Sequence, residues 1–262
     1  MTFTLATWNI NSIRLREGLV TRLLGEEMPD ILCLQECKSP VEKMPLNVFH
    51  DLGYRYAVAR GQKGYNGVAI LSKLPIMDAG DRDFAQLGHA RHVAARLENG
   101  VTIHNCYVPA GGDIPDRELN AKFGQKLDYL TQMRDWCRWE TPDRAILVGD
   151  LNIAPREDDV WNHKALLKIV SHTPVEVDHL NAVMEAGKWI DVTRHDIPQG
   201  QLYSWWSYRA ADWDLADKGR RLDHIWATPD IVNAAHDSRI LRSARGWLQP
   251  SDHAPVFATF DL

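Results

Sequence analysis

Short apolar runs recur along the chain and are broken by polar and turn-forming residues. They are Phe3 to Trp8, Ile31 to Leu34, Gly67 to Leu71, His92 to Leu97, Val101 to Val108, Ala145 to Val148, Leu222 to Ala227 and Val256 to Phe260. Their length and β-branched content predict strands. Two stretches follow a helical period instead. After Asn11 and Ser12, which read as an N-cap, Ile13, Val20, Leu23 and Leu24 fall on one helical face. From Asp116 onward, Leu119, Phe123, Leu127, Leu130, Met133 and Trp136 step by three or four positions. A weaker period runs from Val175 to Ala186. Strand groups separated by helices predict an α/β protein with sheets packed together and helices outside. No linker rich in Pro, Gly or Ser interrupts the pattern, so residues 1–262 read as one domain.

Composition narrows the class. A chain of 262 residues, 45% hydrophobic, suits one large globular domain. The net charge of -5 argues against indiscriminate, tail-like nucleic-acid binding, whose footprint is basic. It leaves room for a local basic surface, because a metal site adds carboxylates to the count. Cys33 and Cys106 lie inside strand-like runs, and none of the cysteines forms a CxxC motif. Buried free thiols and a reducing compartment are expected. No signal-peptide pattern opens the chain, and no apolar run approaches the ~20 residues of a membrane span. The expectation is a cytoplasmic monomer with no membrane contact.

Polar residues at strand ends carry the candidate chemistry. Asn9 closes the first strand, where its side chain could cap a helix or ligate a hard cation. Glu36 ends the apolar run Ile31 to Leu34, a place where acids are rare unless exposed or paired. A strand-end Glu beside a strand-end Asn suits Mg²⁺, which takes oxygen ligands. Gly149-Asp150-Leu151-Asn152 repeats the form. There Gly149 permits close backbone approach, Asp150 could handle a proton and Asn152 could donate to an anion; an Asx-type turn is the plainer alternative. Asp223 lies inside an apolar strand and needs a partner. His253 is a candidate, since an Asp would fix its tautomer. His224 should face the other side of the strand, as a surface or structural residue. Tyr107 ends a further strand. In Tyr203-Ser204-Trp205-Trp206-Ser207-Tyr208-Arg209, rings beside a cation could stack on nucleotides or pack a core. No zinc-finger spacing and no phosphate-loop motif occurs.

Taken in order, Trp8-Asn9-Ile10-Asn11, Leu34-Gln35-Glu36, Gly67 to Leu71, Tyr107-Val108-Pro109, Gly149-Asp150-Leu151-Asn152, Leu222-Asp223 and Ser251-Asp252-His253-Ala254-Pro255-Val256 resemble the exodeoxyribonuclease III type of AP endonuclease. The match spans nearly the whole chain and is best for the bacterial type. The resemblance implies a four-layer α/β sandwich, with two mixed β-sheets face to face, helices outside and the site at one rim. It implies Mg²⁺ or Mn²⁺ held by Asn9, Glu36 and Asp252, with Asp150 and Asn152 as further candidate ligands. It implies catalytic roles for Tyr107, Asp150, Asn152, Asp223 and His253, and substrate contacts from Asn11, Trp205, Trp206 and Arg220. The implied partner is double-stranded DNA with abasic sites or 3′ ends, and the implied activities are AP endonuclease, 3′-5′ exonuclease and 3′-end trimming. Two positions depart from the pattern. Ala110 stands where relatives often carry an amide, and Arg220 where they carry an apolar or aromatic residue near the lesion. The alternatives are a phosphoesterase of the same superfamily acting on RNA tails, lipids or inositol phosphates, and an inert nucleic-acid-binding homologue.

Overall fold

The computed structural model describes residues 1–140 and 142–262. Two six-stranded sheets pack face to face. The first has the order β13-β14-β1-β2-β4-β3, built from β1 (Thr2–Asn9), β2 (Ile31–Gln35), β3 (Tyr56–Arg60), β4 (Val68–Ser72), β13 (Ala235–Ile240) and β14 (Val256–Asp261). The second has the order β5-β6-β7-β8-β12-β9, built from β5 (Ile76–Asp78), β6 (His92–Leu97), β7 (Thr102–Tyr107), β8 (Ala145–Asp150), β9 (Ile190–Asp191) and β12 (Asp223–Ala227). A two-stranded ribbon, β10 (Trp205–Trp206) with β11 (Gly219–Arg220), stands apart from them. Both sheets are mixed: β1 runs parallel to β2 and β7 parallel to β8, while the other pairings are antiparallel. Helices are α1 (Glu17–Glu26), α2 (Leu46–Asp51), α3 (Ala121–Glu140), α4 (His163–Leu166), α5 (Pro174–Gly187), α6 (Val192–Asp196) and α7 (Trp213–Ala216).

Strand parity sets what lies where, because successive side chains point to opposite faces. In β1, Phe3 and Leu5 join the core between the sheets, while Ala6 and Trp8 pack with Val20, Leu23 and Leu24 of α1. In the second sheet, Ile103, Ile146, Val148 and Ile225 face the intersheet core. Cys106, Leu147 and Trp226 face outward, onto Leu130 and Met133 of α3 and Leu180 and Val183 of α5. Continuing each inward series to the strand end gives Asn9, Tyr107, Asp150 and, at the start of β12, Asp223. One parity rule therefore aims all four at the same rim.

Two helix boundaries differ from the sequence expectation. Asn11 and Ser12 do not cap α1; both adopt positive φ (49° and 89°), and the helix begins later, at Glu17. Leu119 continues the period of α3 but precedes the helix and is exposed, in a turn held by the Asp116 carboxylate. All four cysteines are free and buried, as expected for Cys33 and Cys106. Among the described residues, no helix is long and apolar enough to cross a membrane.

Candidate active site

The rim opens into a cleft of about 540 Å³ lined by Glu36, Asp150, Asn152, Asp252 and His253, together with Trp205 and Arg220. Its floor is a buried polar layer. Gln35 donates to Thr7 Oγ1 (2.9 Å) and Asn105 Oδ1 (2.7 Å), and Asn105 donates to the carbonyls of Leu34 and Ala69. The bonds of Asn105 tie the second sheet to the first.

Asp150 sits at the centre and is almost fully buried. Its carboxylate accepts the Asn9 amide (2.9 Å), the Asn152 amide (3.0 Å) and the Asn152 backbone N–H (2.9 Å). His253 Nε2 lies 3.7 Å away. Burial, with Asp223 and Glu36 nearby, pushes the Asp150 carboxyl above its usual range, against the pull of His253 and Asn9. Gly149 makes this placement possible. Its φ is 136°, and a Cβ there would sit 1.9 Å from the Cys106 carbonyl oxygen, so the sequence reading of close backbone approach holds.

His253 is fixed on every side. Its carbonyl accepts the Trp8 indole N–H (2.9 Å) and its backbone N–H donates to Ser251 Oγ (3.2 Å). Its Nδ1 meets Asp223 Oδ2 at 2.8 Å. The same oxygen accepts the Ser204 hydroxyl (2.6 Å), which in turn accepts the Leu222 and Asp223 backbone N–H groups. Burial alone would lower the imidazole, but Asp223 and Asp150 outweigh it and hold His253 protonated. Asp223 lies directly opposite Asp150 in the β8–β12 register, so the expected Asp–His pair forms beside the central carboxylate.

Glu36 adopts positive φ (49°), an uncommon conformation for a non-glycine residue. Burial pushes its carboxyl up. Lys38, 2.6 Å away, and the donors Asn9 (2.9 Å) and Tyr107 (2.8 Å) overcome that and hold it below its usual range. Tyr107 is driven well above its usual range by burial and by the nearby Glu36 and Asp150, so it stays a phenol that donates. Asp252 accepts from the Trp205 indole (3.0 Å) and from Asn11 (3.3 Å), and Asn11 in turn accepts from Lys38 (2.6 Å).

Several expectations change in detail. The Asn9 side-chain oxygen accepts the Asn11 backbone N–H (3.1 Å) and keeps a second lone pair, while its amide nitrogen donates to Glu36 and Asp150. Asn152 likewise gives both amide hydrogens within the protein, to Val108 O (2.9 Å) and Asp150, rather than to the open cleft. Trp206 is only 2% exposed and packs against Tyr203 and Trp213, away from the cleft, so of the two tryptophans Trp205 alone lines it. His224 is structural: it is fully buried, beside Arg221 and against Ile153 O.

Residues missed in the sequence complete the support. Lys126 and Glu176 form a fully buried ion pair. Lys126 also donates to the carbonyls of Asn152 (2.8 Å) and Ala110 (3.3 Å), pinning the loops after β8 and β7. Its signal was a lysine on the apolar stripe of α3. Ser204 gave none beyond its place before two tryptophans.

The donor set fits a hard divalent cation. Glu36, Asp150 and Asp252 bring three carboxylates, hard oxygen ligands, to one cleft. Asp150 also lies close to Asp223 and His253, and the latter two bind each other.

Known proteins share this arrangement of chain. Exodeoxyribonuclease III of Haemophilus influenzae is 28% identical over 267 residues, covering 97% of this chain and 98% of that protein. The structure of an AP endonuclease from Archaeoglobus fulgidus superposes with a TM-score of 0.91 at 33% identity, covering 99% of this chain and all (100%) of that one. The 3′ phosphatase NExo from Neisseria, bound to a product DNA hairpin, gives 0.90 at 32% identity over 99% of this chain and 100% of its own. Residues 6–253 match the endonuclease/exonuclease/phosphatase family, and the chain belongs to it.

Proposed function

We propose that the cleft hydrolyses DNA phosphoesters in repair, cutting 5′ to abasic sites, trimming blocked 3′ ends and degrading duplex DNA from 3′ termini. DNA-repair nuclease activity follows from membership of the family and from relatives named exodeoxyribonuclease and AP endonuclease. The observation that carries the reading is the buried Asp150 carboxylate, set beside an Asp223-oriented His253 in a cleft with Glu36 and Asp252.

Mg²⁺ or Mn²⁺ held by Glu36 and Asp252, with Asp150 as a further ligand, would supply Lewis-acid polarisation of the scissile phosphate. Asp150, with its raised proton affinity, removes a proton from the attacking water or returns one to the leaving 3′ oxygen. Asn9 and Asn152 hold its oxygens in place. His253, cationic and locked by Asp223, presents Nε2–H to a phosphate oxygen, where a fixed charge stabilises the pentacoordinate transition state. Tyr107 fixes Glu36. Trp205 offers a ring to the substrate, and Asn11 a polar edge. An abasic nucleotide leaves the stack at little cost, which gives selectivity without base readout.

Product analysis on three duplexes tests this: one abasic, one with a 3′-phosphate and one with an undamaged recessed 3′ end. Mg²⁺-dependent hydrolysis that EDTA abolishes is expected. No cleavage of any DNA, or cleavage indifferent to EDTA, contradicts it.

A further inference from the structure

The cleft is lined by two chemically different groups of residues. One is Glu36, Asp150, Asp252 and His253. The other carries cations on aromatic rings: the Arg220 guanidinium lies 5.2 Å from the Trp205 ring centroid, and the Lys218 ammonium 4.9 Å from that of Trp161. The two groups adjoin, because the Trp205 indole donates to Asp252 (3.0 Å).

Arg220 is held rigidly. Its backbone belongs to β11, paired with Trp205 in β10. Its Nη1 donates to Val170 O (2.8 Å) and Ser171 Oγ (2.7 Å). Its Nε is buried and has no hydrogen-bond partner. Among the described residues, no carboxylate forms a salt bridge with it. The acid acting on it is Glu176, which is already engaged by Lys126. The guanidinium therefore lines the cleft with a positive charge that no carboxylate among the described residues pairs. Leu222, Val170 and Trp161 line the cleft with it.

We propose that Arg220 is a specificity determinant that makes this cleft favour terminal 3′-phosphates over internal abasic sites. The inference rests on the nuclease reading above. An internal abasic site brings a neutral sugar and a singly charged diester to the cleft. A terminal phosphomonoester has no sugar beyond phosphorus and carries a second negative charge there, which a fixed guanidinium meets directly. In the favoured reaction water adds to phosphorus and the P–O3′ bond breaks. The 3′ oxygen leaves with a proton, and inorganic phosphate is released. Arg220 occupies part of the space a flipped sugar needs, so it discriminates in both directions.

The test compares kcat/KM on a 3′-phosphate duplex and an abasic duplex for the wild type, Arg220→Gln and Arg220→Lys. The wild type should favour the 3′-phosphate. Arg220→Gln should lower its kcat/KM on that substrate roughly 10- to 100-fold, the scale of one charge-assisted hydrogen bond, and speed abasic incision. Arg220→Lys keeps the charge and should retain most of the preference. A second readout needs no turnover: in EDTA, the wild type should bind a 3′-phosphorylated duplex more tightly than its 3′-hydroxyl counterpart, and Arg220→Gln should erase the difference. Equal losses on both substrates, an unchanged ratio in Arg220→Gln, or equal binding of the two duplex ends by the wild type would overturn the proposal. Absence of hydrolysis of either duplex by the wild type would overturn the nuclease reading as well.

Discussion

Asp223 Oδ2 and His253 Nδ1 meet at 2.8 Å across 30 residues of sequence. The pair joins the two sheets, because Asp223 opens β12 in one and His253 lies just before β14 in the other. Ser204 fixes the carboxylate from the far side. The imidazole therefore has one tautomer and one orientation, with Nε2 facing Asp150.

Loss of this partner should be felt in catalysis before stability. Asp223→Asn keeps the shape but removes the charge that holds His253 protonated. Turnover on a 3′-phosphate duplex should fall about 100- to 10,000-fold, the usual contribution of a positioned acid or base. Single-turnover rates, with circular dichroism as a check on folding, measure it. A loss under about 5-fold would remove the dyad from the mechanism.

Gly149 tolerates no side chain. In Gly149→Ala the new Cβ meets the Cys106 carbonyl at 1.9 Å on a backbone with φ 136°. Strain and a broken β7–β8 pairing should cost at least about 2 kcal/mol. Urea unfolding measures this, and stability equal to wild type would contradict it.

Lys126→Met should destabilise the protein by about 3–5 kcal/mol, because the buried Glu176 loses its cationic partner and keeps only the Ser171 and Thr173 donors. It also frees the carbonyls of Asn152 and Ala110, so activity should drop in the fraction that remains folded. Urea midpoints and kcat measured side by side test the two effects, and a midpoint like that of the wild type would contradict the first.

Acid stability should depend on Asp159 and Asp191. Burial raises both carboxyls, but Arg221 overcomes it for each, assisted by Arg194 at Asp159 and by His224 at Asp191. Both are held below the usual carboxylate value. Groups lowered in the folded state stabilise it above their unfolded pKa of about 3.9, and that stability is lost as pH falls through their folded values. Unfolding free energy should therefore decline below about pH 5, and less steeply in Asp191→Asn. Parallel declines in the two proteins would show that the network does not couple to pH.

The central strands were legible in sequence because burial on both faces makes them continuous apolar runs. The edge strands β3, β5 and β13 were not, since their mostly exposed or half-buried residues leave no such run. The α1 start was misplaced because Asn11 and Ser12 look like cap residues yet adopt positive φ, a state set by pairing with the Glu36 strand end (Ser12 N–H to Glu36 O, 2.7 Å). In the site, Asn9, Tyr107, Asp150 and Asp223 were readable as polar ends of apolar strands. Their sharing of one face follows from parity, but the orientation of the Asn9 and Asn152 amides depends on acceptors that only the folded chain brings close. Trp205 and Trp206 are adjacent and look equivalent, and only the pleat of β10 sends one to the cleft and the other to packing.

Asp150 is the proposed proton-handling carboxylate of a metal-assisted phosphoesterase. The most direct test of that role is single-turnover hydrolysis of a 3′-phosphate duplex and an abasic duplex by Asp150→Asn, with Mg²⁺ present and folding verified by thermal melting. Asparagine preserves the shape but cannot carry the proton, so both rates should fall by about 1,000-fold or more while the melting temperature holds or rises. Near-wild-type hydrolysis of either duplex by the folded variant would contradict the account.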